Sequence, residues 1–230
     1  MGAKDMEIQT LLKRLLLLNT IFVFLSIVVY FLTGVNPFSE GGVITFLSAF
    51  QLLAISRITY KTAQARKTEK DQSSWSGAPL IWTLVSTGFA FLAIDEVLYI
   101  HEQIDKLIHY ILDIKETGLT DRIDDIIVGI YALVGIAVLF AFKNEVKTCI
   151  DRFSFFILGF ALLFTMVGLD ILTNRDDILL MHFDETTTDI LMYWLSSAED
   201  SMKIFAEAFF ILGFYSALLK ARSLKALPAA

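Results

Sequence analysis

The chain has 230 residues, 56% of them hydrophobic and 19% charged, with a mean hydropathy of +0.64 and a net charge of −6. Soluble domains usually carry about 45–50% apolar and about 25% charged residues. The balance therefore excludes a disordered chain and argues against a water-soluble globule, and the acidic net charge argues against nucleic acid as a partner.

A polytopic integral membrane bundle, all-α, is expected over residues 1–230 as one domain. Six stretches qualify as spans. The first, Leu15–Leu32, follows Lys13 and Arg14 and approaches the ~20 residues that a crossing needs. It is longer than a signal-peptide core and ends at Thr33-Gly34-Val35-Asn36-Pro37 with no Ala-x-Ala site, so it reads as a retained helix. The second, Val43–Tyr60, is the weakest, because Arg57 must snorkel. Pro79 opens the third, Pro79–Ile100, where a missing N–H costs nothing. Its helix is expected to run on towards Ile114, carried by Ile104, Leu107, Ile108, Ile111 and Leu112 on one face. The fourth and fifth are Ile126–Phe142 and Phe153–Thr173. The sixth is Asp200–Leu219. Before it, the acidic stretch Asn174–Ala198 is expected to lie on the membrane surface or cap the bundle.

Lysine and arginine set the orientation. They gather in the N-terminal tail (Lys4, Lys13, Arg14), after the second span (Lys61, Arg66, Lys67, Lys70), after the fourth (Lys143, Lys147, Arg152) and in the C-terminal tail (Lys220, Arg222, Lys225). The other side holds Lys106, Lys115, Arg122 and Arg175. Both termini are thus expected in the cytoplasm, with two acidic amphipathic caps outside. One cysteine, Cys149, excludes an internal disulfide and a thiolate metal cluster.

Charged side chains at bilayer depth cost about 2.5–3.5 kcal/mol each on insertion scales. They collect on the outer half of this chain. Asp95 lies about 8 Å below the outer end of its span and Asp170 about 6 Å below the end of the fifth. Glu207 lies about 10–12 Å below the start of the sixth. On a continuous helix Asp95 and Glu102 share a face, and His101, Asp105 and His109 form a second stripe. Glu199, Lys203 and Glu207 share a face of the last helix. Plain structural readings stand beside these. Ser197-x-x-Asp200 fits a capping box at a helix start. Glu102, Asp105 and His109 fit a solvated outer face, His182 a surface position and Lys203 a counter-ion. The glycines fit close helix packing.

If the three helices adjoin, the acids meet in one pocket and cannot all stay ionised; a cation enters or some hold protons. The expected site is Asp95, Glu96, His101, Glu102, Asp170, Glu199, Asp200 and Glu207, with Lys203 as ion-pair partner. Such an oxygen-rich set with one imidazole suits a divalent cation (Mn, Fe, Mg or Ca, or Zn with more histidine). A bound metal there would support chemistry on a lipid ester, amide or phosphate. No Glu-x-x-His pair is present, which separates the chain from ferritin-like di-iron bundles. Proton- or cation-coupled transport is the alternative, and a structural subunit with buried ion pairs is the third reading. Partners expected are the lipid bilayer, a lipid or cation ligand and a second copy of the chain.

The pattern Ile94-Asp95-Glu96-x4-His101-Glu102, with Glu207 on the last helix, resembles uncharacterised multi-pass membrane proteins of bacteria and archaea. The resemblance implies a multi-pass protein of a prokaryotic cell membrane and no particular activity.

Overall fold

A computed structural model describes residues 2–39, 41–67, 77–113, 123–173 and 179–226. Among them the chain forms eight helices and no strand: α1 (Ala3–Thr33), α2 (Val43–Arg66), α3 (Ala78–Leu98), α4 (Ile100–Leu112), α5 (Ile123–Ala141), α6 (Lys143–Cys149), α7 (Phe153–Thr173) and α8 (Glu185–Lys225). Lys70, the Ser73–Ser76 stretch, Lys115, Arg122, Arg175, Ile178 and the expected helical path from Ile114 onwards lie outside the described residues.

Five helices, α1, α2, α3, α7 and α8, are long and apolar enough to cross a membrane. A sixth crossing is reached when α5 and α6, bent by 80° to one another, are counted together. The fifth expected span coincides with α7, and Pro79 sits in the first turn of α3. Gly34, in the left-handed region at φ 71°, ends α1 and donates its N–H to Tyr30 O.

Helix α8 is the axis of the bundle. It packs against α7, α2 and α1, and α2 packs against α3. Its apolar residues Phe210, Ile211, Phe214 and Ala217 meet Ile55, Ile81, Trp82 and Cys149 in the main core. Two glycines let α7 and α8 close: Phe210 of α8 lies on Gly159 of α7, and Phe156 of α7 lies on Gly213 of α8. By contrast, much of the apolar surface of α1, α5 and α7 faces outward, as Phe24, Leu133 and Phe164 show. Tyr30 of α1 stacks on Tyr193 of α8 at 3.7 Å, beside Trp194.

Two of the boundaries that differ from expectation bear on the site. Helix α8 begins fifteen residues before Asp200, so Ser197 and Asp200 are helix-interior and cap nothing. The true N-cap is Asp184, whose carboxylate accepts from the Thr187 N–H at 3.0 Å and hydroxyl at 2.8 Å. Ile190–Leu195 therefore belong to this helix. With 41 residues, α8 is about 60 Å long, twice the ~30 Å hydrocarbon thickness.

The second difference is at Tyr99. Span three does not run on as one helix: Tyr99 adopts φ 52°, ψ 45°, a left-handed conformation unusual for a side-chain-bearing residue, and separates α3 from α4. The break is stitched on both sides. Tyr99 N–H donates to Asp95 O at 2.7 Å, and Gln103 N–H donates to Tyr99 O at 3.0 Å. Gln103 Nε2 adds a bond to Leu98 O at 2.6 Å.

Candidate functional site

The break turns Asp95 into a cap. Asp95, buried, accepts from His101 N–H at 3.0 Å through Oδ1, and its Oδ2 pairs with His101 Nδ1 at 2.8 Å. One carboxylate thus satisfies the first turn of α4 and compensates its own poor position at the C-terminal end of α3. Because α3 and α4 are separate, the expected shared face of Asp95 and Glu102 does not exist. Glu102 instead meets Lys106, one turn on, at 3.2 Å on the surface.

Helix α4 also corrects the solvated-face reading. Its apolar side, with Leu107, Tyr110 and Ile111, is exposed, whereas Asp105 and His109 turn inward. His109 Nδ1 lies 3.0 Å from Asp105 Oδ1, and its Nε2 is buried without a hydrogen-bond partner among the described residues. His182 is exposed, as expected.

The other acids meet on α8. Lys203 Nζ donates to Glu96 Oε1 of α3 at 2.7 Å and lies 3.2 Å from Asp200 Oδ1. Lys203 is therefore the expected counter-ion, shared between two helices. Glu207, one turn further along, is 6% exposed. Ser48 of α2 donates its hydroxyl to Glu207 Oε1 at 2.6 Å. Glu207 Oε2 is buried with no hydrogen-bond partner among the described residues. Glu96, Asp200 and Lys203 all act on Glu207 electrostatically. Glu199 adjoins this group at the end of α7: Thr173 donates to its Oε2 at 2.9 Å, and Asp170 lies within electrostatic range.

The structure thus brings together Glu96, Asp200, Lys203 and Glu207, with Glu199 and Asp170 beside them. It sets Asp95, His101 and Glu102 apart at the α3–α4 break. Among the described residues no three His, Cys, Asp or Glu side chains form a group that could hold a metal ion. The eight residues expected to form one site fall in two places, the α8 cluster and the α3–α4 break.

Sequence reasoning missed the buried polar residues Asn19 and Gln51. Gln51 Nε2 of α2 donates to Asn19 Oδ1 of α1 at 2.8 Å, and Asn19 Nδ2 donates to Ile204 O at 2.8 Å. It also missed a second charged node at the far end of α2. There Arg66 grips Glu145 of α6 through Nε (2.6 Å) and Nη2 (2.9 Å). Trp82 Nε1 and Cys149 Sγ donate to the same Glu145 Oε1 at 3.1 and 3.3 Å.

Comparison with known proteins gives one assignment. The family model described as a domain of unknown function (DUF8692) matches residues 26–218, most of the chain and all of the site. The chain belongs to the DUF8692 family. No curated protein and no solved structure matches it. The DUF8692 region takes in Glu96, Lys203 and Glu207 but not Asn19 or the N-terminal turns of α1.

Proposed function

We propose that this DUF8692 chain is a multi-pass protein of a prokaryotic cell membrane, with both termini in the cytoplasm, that couples its activity to a proton or small cation at Glu207. One observation carries the reading: the almost fully buried Glu207 carboxyl has one oxygen on Ser48 and the other without a partner among the described residues. Buried polar atoms in native proteins are nearly always satisfied, so such an oxygen calls for an explanation. Around it, Lys203 pairs with Glu96 and Asp200 and acts on Glu207 only at electrostatic range. A proton or small cation would balance the remaining charge, and ionisable groups inside a membrane bundle are the usual material of proton relays and ion pathways.

The outward apolar faces of α1, α5 and α7 suit contact with lipid or with a second copy of the chain. Metal-supported lipid chemistry is favoured less, because the described acids and histidines do not assemble three ligands. A divalent cation would have to displace Lys203 from Glu96 and Asp200.

The test is pH-difference infrared spectroscopy on the purified protein, with Glu207→Gln beside the wild type. A carboxyl band that changes with pH in the wild type and is missing in Glu207→Gln supports the proposal. Identical difference spectra in the two proteins would remove Glu207 as an exchangeable site.

A further inference from the structure

Helix α2 carries a polar stripe that joins the two charged nodes. Ser48, Gln51, Ile55, Thr59 and Thr62 recur every three or four residues, so they share one face. All five are buried. Ser48 touches Glu207 at one end, and Arg66, one turn beyond Thr62, grips Glu145 at the other. Ser48 to Arg66 is about 27 Å along the helix, close to the ~30 Å thickness of the hydrocarbon core.

The two ends of the stripe differ. Gln51 Oε1 is buried and without a partner among the described residues, as is Glu207 Oε2. At the other end an open cavity of about 480 Å³ reaches Glu145, with Asn144 and Thr148 on its wall. Between them Thr59 donates to Ile55 O at 2.9 Å, and Thr62 donates to Ile58 O at 3.0 Å. A hydroxyl that donates to its own backbone keeps its lone pairs to accept from a neighbour.

One position breaks the sequence of polar groups. Ile55, with no exposed surface, packs into the main core between Gln51 and Thr59. The polar gap it leaves is about 12 Å.

We propose that the buried face of α2 is a proton path from Glu207 to the Glu145 cavity, closed at Ile55. The proposal rests on Glu207 being an exchangeable site. It adds the route and its barrier.

The experiment compares Ile55→Thr with Ile55→Val, which have nearly the same shape and differ in a hydroxyl. Each is reconstituted in liposomes with an entrapped pH dye, and proton entry is driven by a potassium diffusion potential. Circular dichroism and gel filtration establish that both variants fold; Ile55→Ser provides a second polar substitution. The expected result is passive proton entry about tenfold faster in Ile55→Thr than in Ile55→Val, as a continuous polar relay implies. Adding Glu207→Gln to Ile55→Thr should return entry to the Ile55→Val rate. Equal rates in Ile55→Thr, Ile55→Ser and Ile55→Val would overturn the path, and the hydroxyls would then serve only their own helix. The infrared result on Glu207 stands apart from that outcome. Fast entry in Ile55→Thr that persists with Glu207→Gln would overturn Glu207 as the start of the path.

Discussion

Asp95 and Glu96 are neighbours in the chain, yet their carboxylates serve different helices. Asp95 caps α4 through His101, whereas Glu96 reaches Lys203 on α8. The pair therefore ties the end of α3 to two elements at once, and the two acids should fail differently.

Removing the Asp95 carboxylate leaves the first turn of α4 with unsatisfied N–H groups. Asp95→Ala is expected to cost about 1–3 kcal/mol and to raise amide exchange chiefly in α4. Hydrogen exchange read by mass spectrometry would check this. Uniform loss of protection across the bundle would contradict the capping role.

Lys203→Met leaves Glu96 and Asp200 facing one another without a counter-charge. Breaking a buried pair costs about 3–5 kcal/mol, and the partial exposure of all three side chains lowers the expectation to about 1–3 kcal/mol. Glu96→Gln in the same chain should restore part of the thermal stability. Strictly additive losses in the double-variant cycle would show that the two groups do not interact.

How much of this was legible in the sequence depends on the element. The long apolar helices were legible because the apolar runs that form them are long and unbroken. The start of α8 was not: Ser197-x-x-Asp200 and Asp184-Glu185 are both acceptable N-terminal patterns, and packing of Tyr193 on Tyr30 favours the earlier one. The break at Tyr99 has no glycine or proline to announce it. It depends on Asp95 and Gln103 closing around it. The Lys203 counter-ion role was legible from its place among Glu199, Asp200 and Glu207; of these it pairs with Asp200, three residues away, and its partner Glu96 required the three-dimensional fold. Ser48 and Gln51 are single polar residues in an apolar run, and only their helical spacing with Thr59 and Thr62 hinted at a face.

The glycines divide sharply. A Cβ on Gly213 would come 2.5 Å from the Phe156 ring, and one on Gly159 would come 2.8 Å from Phe210. Alanine at either site is expected to destabilise by about 1–3 kcal/mol through overpacking of α7 on α8. Gly88, Gly129, Gly135 and Gly168 have no neighbour within 4 Å of such a Cβ among the described residues. Alanine there is expected to be neutral or to stabilise by about 0.4–1 kcal/mol. Thermal unfolding in detergent distinguishes the two groups; equal effects would refute the proposed contacts.

The α8 cap should depend on pH. Hydrogen bonds from the Thr187 hydroxyl and N–H hold the exposed Asp184 carboxyl below the ordinary range. A depressed folded-state value means that the cap stabilises above the ordinary carboxylate pKa and is lost as pH falls through the folded one. Protection of the Thr187 and Thr188 amides, corrected for intrinsic exchange, should begin to fall only as pH drops below the ordinary carboxylate value of about 4. Asp184→Asn should remove that dependence while keeping a cap.

Over its 41 residues α8 contains no proline and only one glycine, Gly213, which is packed under Phe156. It therefore lacks the usual means of kinking. A rod of this kind moves as one piece. A shift of the rod that opened the Lys203–Glu96 contact would carry both Asp184 and Lys220 with it. Mechanical force applied at either end would in turn reach the charged cluster without any intermediate joint.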